Sequence, residues 1–395
     1  MSLKIVDVNK TSTYAPVGTE LATASESNYS GALVVVFNAA NQLEKAETMT
    51  AADITAGQTK KFAITTGTKR VYVLLNIPAA ATISTTAGMS RTAWEKEIHT
   101  LTMAQVSTAN SFFMTNVVAP AGFPLVAGVV DPVLESKNVV TVNVGRVVAK
   151  VNVDFNATAA NQIGGKLSSI KYKVKGIETQ MYTIGQIVGG INETPHFAGP
   201  YVATNYVDAA TFENVADYYN NVNTGLGQSP VTYPLENTNT GANILQGNTT
   251  RVVIQAVFTP DVWLDATGAV STGSTGDQVW AVWDIGGVFL GYANATPTAA
   301  WTAAIGGTIK TYPNGICYYN KVWIMDSAET GTMKYATVRN YAYKVNITSV
   351  NGIGTEGEDD DIIPIDPIET NTQMQVEIAI LPWSVVNVVT GLEGV

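Results

Sequence analysis

The sequence predicts an all-β protein of two sandwich-type domains with a few short helices. Runs rich in Val, Ile, Thr and Tyr recur along nearly all 395 residues, and β-branched side chains suit a pleated strand better than a helix. Only one window in the first third carries a persuasive helical period. The length also exceeds what one hydrophobic core usually serves, so two domains are expected.

The strands follow in order. "GALVVVFNAANQ" (31–42) is an apolar run closed by an Asn-rich turn, and "KRVYVLLNIP" (69–78) repeats the design. "SRTAWEKEIHTLTMAQ" (90–105) is the helical window: Trp94, Ile98 and Leu101 recur at helical spacing behind Ser90 as cap. "NVVTVNVGRVVAKVNVDFN" (138–156) is Val-rich and alternates strictly in its second half. A Pro-containing connection precedes it, so a first domain is expected over 1–138 and a second over 139–395. Further strands are read at 166–178, 250–260, 278–292, 317–325 and 339–354. The Asn-, Thr- and Gly-rich passages 204–249 and 264–277 are either binding loops or hold short elements that the pattern hides.

The end of the chain departs from this pattern. From Met374 to Ile380 apolar residues alternate (Met374, Val376, Ile378, Ile380), as in a strand with one covered face. Past Pro382 the alternation fails, because Trp383, Val385, Val386, Val388 and Val389 put apolar side chains on both faces. Two covers fit this tail equally well, its own domain or a neighbouring molecule.

Charge excludes one class of function. With 22 Lys plus Arg against 32 Asp plus Glu, a formal net of -10, the chain lacks the cation excess that neutralises phosphates, so no nucleic-acid partner is expected. Charged residues make up only 14%, and the surface must rely on Thr, Asn, Ser and Gln, as in extracellular bacterial β-proteins. No stretch is apolar for the ~20 residues of a membrane helix.

Little in the sequence points to catalysis. His99 and His196 are the two histidines, on distant segments, and both read as structural, so no zinc site, cofactor or catalytic triad is expected and an enzyme is the least favoured class. Cys317 is alone and reads as a buried strand thiol. "EGEDDD" (356–361) lacks the register of a calcium loop and reads as a solvated connector. Trp263, Trp280, Trp283 and Trp301 are read as core rather than as a sugar-stacking platform.

Several of these segments together resemble the fimbrillins, subunits of type V pili in Bacteroides-type bacteria. At the C-terminal end they are Arg339, Asn340, Tyr341 and Tyr343, a Gly-containing turn at 351–354, an acidic and Pro-rich spacer, and "QVEIAILPW" with Trp383. At the front, "GALVVVFNAANQLEKAE", "ITAGQTKKFAITTGTKRVYVLLNIP" and "VGRVVAKVNVDF" are similar to the family's opening strands and to the Arg-containing strand that begins its second domain.

The resemblance implies two transthyretin-like β-sandwich domains and a pilus subunit at the cell surface, reached through a lipidated precursor at the outer membrane. It also implies assembly with other pilin subunits: a trypsin-like protease removes an N-terminal strand and another subunit's C-terminal strand enters the groove. The donor residues would be those named in the tail, Met374 to Val389. The first strand would lie within residues 1–10. The family is often cut after Arg, but the first Arg here is Arg70, inside a strand, which leaves Lys10 as the candidate processing site. A stalk role is expected ahead of a tip adhesin; the alternative is a surface glycan-binding protein using the Trp-rich second domain and a host or bacterial surface ligand.

Overall fold

The computed structural model describes residues 2–6, 22–55, 63–128, 138–215, 230–369, 374–383 and 386–391. They form strands in several sheets with a few short helices, the all-β class the sequence predicts.

Gly31–Phe37 and Gly67–Leu75 run antiparallel at the heart of the first sheet, with Val34 opposite Val73. Residues 32–37 and 71–75 are all buried, so this part of the sheet has protein on both faces. Continuous burial is why these runs do not alternate. Across the sheet the order is Ser2–Val6, Val386–Gly391, Val139–Arg146, Met114–Asn116, Gly67–Leu75, Gly31–Phe37, Leu43–Thr50. Trp94 packs edge-on against Phe37 and Tyr72, with ring centroids 5.4 and 5.0 Å away. It is delivered by the helix Arg91–Glu95, which Ser90 caps by accepting from the Ala93 N–H.

The single helix expected over 90–105 is instead two, Arg91–Glu95 and Met103–Val106, separated by the strand Ile98–Thr100 paired with Gln180–Tyr182. The pairing reverses the expected sides: Ile98 is 53% exposed and His99 is buried. A long-range strand contact here outweighs a local period whose middle is β-branched.

The second half is a sandwich of two facing sheets. One orders Lys150–Phe155, Tyr341–Val350, Met374–Pro382, and the other Glu213–Asn214, Gly165–Lys175, Arg251–Pro260, Ile316–Trp323. Tyr172 spans the gap, its hydroxyl donating to the Val151 carbonyl at 3.3 Å. Arg251–Pro260 and Ile316–Trp323 are neighbours in their sheet, and the chain between them builds a further five-stranded sheet from Trp263–Leu264 to Ile309–Tyr312.

Val139–Arg146, expected to open the second domain, hydrogen-bonds in the first sheet, with Gly145 opposite Thr115. The chain changes sheets across 147–149, where Val147, Val148 and Ala149 are all buried. Alternation runs on either side of this crossing, so sequence pattern could not place it. Within 204–249, the stretch 234–239 proves to be interior, built around amides. Asn237 Nδ2 donates to the Gly176 and Asn248 carbonyls at 2.9 and 2.7 Å, and Glu236, Thr238 and Asn239 are buried beside it.

Candidate assembly site

The alternation in Met374–Pro382 is satisfied at home. The strand pairs antiparallel with Tyr341–Val350, Ile378 opposite Val345. Met374 is buried, Val376, Ile378 and Ile380 pack on the core, and Gln375, Glu377 and Ala379 are exposed. It is the edge strand of its sheet among the described residues.

Trp383 follows, 1% exposed, and its surroundings join the two halves of the molecule. Its backbone is tied to Asn340, whose Nδ2 donates to the Trp383 carbonyl at 2.7 Å and whose own carbonyl accepts the Trp383 N–H at 2.9 Å. Asn340 Oδ1 accepts from the Arg146 N–H at 3.0 Å. A side chain at Gly145 would bring its Cβ to 2.6 Å from Asn340 Cγ, so this close approach requires glycine. The Trp383 ring stacks on Tyr233 (5.9 Å, 13° between planes), meets Phe112 edge-on at 6.1 Å, and lies under the Arg146 guanidinium at 4.7 Å and the Lys150 ammonium at 5.4 Å. Its Nε1 finds no hydrogen-bond partner among the described residues.

Glu26, on the short helix Ala24–Ser27, closes this cluster. Its carboxylate receives Lys150 Nζ at 3.1 Å, the Tyr233 hydroxyl at 2.7 Å and the Thr23 N–H at 2.6 Å. Its carbonyl receives Arg146 Nε at 3.1 Å. Burial pushes the Glu26 carboxyl up, but the Thr23 N–H, the Lys150 ammonium and the Tyr233 hydroxyl outweigh it and hold the pKa below the ordinary carboxylate value. The resemblance had singled out Arg146, Asn340 and Trp383 on separate segments, and the fold brings them together. Glu26, Lys150 and Tyr233 carried no such signal: Lys150 stands in register with Asn152 and Asp154, which sequence assigns to the wet face.

The tail strand Val386–Gly391 lies between two partners. On one side it pairs antiparallel with Val139–Arg146, Val388 opposite Val142, and on the other with Ser2–Val6, Val388 opposite Ile5. The strand carries Val386, Val388 and Val389; Val385 and Lys10 lie outside the described residues.

The remaining candidates are structural. His99 Nε2 and Thr183 Oγ1 share a hydrogen bond at 2.7 Å, and His196 Nδ1 meets Glu178 at 2.6 Å. Cys317 is fully buried, its thiol pushed up to about 11 by burial. In the acidic run, expected to be solvated, Glu356, Asp359, Asp360 and Asp361 are exposed, while two of its carboxylates tie it to the second sandwich. Asp359 binds Lys175 and Arg251 at 2.6 and 2.8 Å, and Glu358 binds Lys173 at 3.0 Å. Among the described residues no group of His, Cys, Asp or Glu could hold a metal. Trp263 is buried and Trp280, Trp283 and Trp301 are half-buried, so they form no exposed stacking platform.

Residues 310–388 match the family model described as major fimbrial subunit protein type IV, fimbrillin, C-terminal. The resemblance to fimbrillins is thus present in the region holding Asn340 and Trp383. No curated protein matches the chain. Among solved structures, it is similar to a protein from Parabacteroides distasonis ATCC 8503 described as a candidate cell adhesion protein, with 15% identity, TM-score 0.51, and 97% of this chain and 98% of that chain covered. A fimbrilin from Porphyromonas gingivalis W83 aligns at 16% identity and TM-score 0.48 over 97% of this chain and 98% of that one. At such identities the likeness to the first is one of fold.

Proposed function

We propose that this chain, whose C-terminal region is that of a fimbrillin, is a structural subunit of a surface fimbria that joins its neighbours by exchanging the strand Val386–Gly391. The observation that carries the reading is the position of that strand in the first sheet, flanked by Ser2–Val6. Cleavage near Lys10 would strip the tail of its pairing along Ser2–Val6 and leave only that with Val139–Arg146. The tail could then exchange with a neighbour's, each tail making in trans the backbone pairs that it makes in cis. Because such a contact is head-to-tail and does not close, it propagates as a fibre. Subunits of this kind would present an adhesive surface outside the cell, and the likeness in fold to a candidate adhesion protein is in keeping with that role.

The test is a brief trypsin treatment of the purified protein, followed by electrophoresis without boiling. Cleavage at Lys10 should produce a ladder of multimers, and deletion of 384–395 should abolish it. A cleaved protein that stays monomeric, or a tail-less one that still forms the ladder, overturns the reading.

A further inference from the structure

Besides its pairing with Val139–Arg146, the tail is held to its own molecule by two grips in which the N-terminal segment takes part. The first is the backbone pairing of Ser2–Val6 with Val386–Gly391. The second is the box around Trp383, three residues before the tail strand begins at Val386. Of the side chains that line this box, Lys150 and Tyr233 converge on the Glu26 carboxylate and Arg146 on the Glu26 backbone carbonyl. Arg146 and Lys150 are cations, 0% and 5% exposed, over the same indole ring. Packing two like charges in a dry site demands a carboxylate, because unbalanced buried charge is costly.

We infer that Glu26 is a positioning residue for the tail: its carboxylate holds Lys150 and Tyr233 against Trp383 and offsets the charge of Arg146 beside them, and so keeps the root of the tail on its own subunit. The inference rests on the strand-exchange reading for its purpose but not for its geometry. Cleavage at Lys10 removes the first grip and leaves Glu26 in the chain, so the second must yield separately. Release of the tail must therefore still break this box and the pairing with Val139–Arg146, and Glu26 contributes to the barrier that cleavage leaves. Trp383 Nε1, buried and without a hydrogen-bond partner among the described residues, makes that barrier lower than the packing alone would.

Hydrogen exchange of the backbone amides of 386–391 in the uncleaved monomer tests this. Glu26→Gln should speed their exchange on the order of 100-fold, as expected when one partner of a buried ion pair is removed. Glu44→Gln serves as the control. It breaks the pair with buried Lys69 in the same sheet and touches nothing around Trp383; it should leave the tail amides within about threefold of wild type unless exchange is global. Equal acceleration in both variants would make Glu26 merely structural and overturn the inference. Should Glu26→Gln not fold, Tyr233→Phe keeps the ring on Trp383 and removes only the hydroxyl on Glu26. It should give a smaller, tail-specific acceleration, and none would overturn the inference. A tail that loosens in Glu26→Gln without polymerising after cleavage upholds the positioning role while refuting strand exchange. A tail unmoved in Glu26→Gln, in protein that polymerises normally once cut, refutes the positioning role alone.

Discussion

Asn340 and Trp383 are bound to each other twice, through Asn340 Nδ2 to the Trp383 carbonyl at 2.7 Å and the Trp383 N–H to the Asn340 carbonyl at 2.9 Å. Asn340 does this from the left-handed backbone region, at φ 58°, which Asn tolerates better than most residues. Asn340→Ala should leave the Trp383 carbonyl and the Arg146 N–H without these partners in a buried site. A loss of about 2–4 kcal/mol is expected in urea unfolding. A loss under about 0.5 kcal/mol would show that the side-chain hydrogen bonds of Asn340 do not matter to the fold.

Gly145→Ala tests the same junction from the other side. Its new Cβ would stand 2.6 Å from Asn340 Cγ, closer than unstrained atoms approach. Destabilisation of about 1–3 kcal/mol follows from overpacking, and Asn340→Ala in the same chain should relieve part of it. Strict additivity of the two changes would argue that they do not clash.

Trp383 belongs to its own molecule's core, whatever the strand beyond it does. Trp383→Ala should cost the monomer about 3–5 kcal/mol, while Trp383→Phe should cost less, since it removes an indole N–H that has no partner among the described residues. Thermal melts of the two variants decide this: near-equal losses would mean the N–H is satisfied in solution.

His99 makes stability depend on pH near neutrality. Burial holds its imidazole below the ordinary value, with Arg339 adding to the effect and Glu97 opposing it. The unfolded chain, with a pKa of about 6.5, takes up the proton first. The stabilisation is complete above that value and is lost as pH falls through it towards the folded pKa. His99→Gln should flatten the stability profile on the acid side of the ordinary histidine value of about 6.5; an unchanged slope would assign the titration elsewhere.

Cys317 should resist a thiol reagent at pH 8 in the native protein and react at once in denaturant, because its thiol is fully buried and its pKa is pushed up to about 11. Rapid labelling of the folded chain would contradict the packing of Ile316–Trp323.

Local pattern determined much of this protein. The β-branched runs became strands, and the alternation from Met374 to Ile380 marks the face that packs on the core, in a strand paired with Tyr341–Val350. The fimbrillin-like segments pointed to Arg146, Asn340 and Trp383 before any of them had a place in space. Such features are legible because they need only neighbours a few residues apart: a period of two implies a covered face, and a continuous apolar run implies two.

Tertiary structure alone decided what does the covering. Ile98–Thr100 became a strand because Gln180–Tyr182 lies beside it, and Val139–Arg146 joined the first sheet through Met114–Asn116. The tail strand found both its flanks at positions remote in sequence, Ser2–Val6 and Val139–Arg146. Glu26 and Lys150 read as surface charges and are buried as a pair. Periodicity reports that a face is dry or wet; it carries no address for the partner, and burial of a charge depends on a counter-charge that only the folded chain brings within reach.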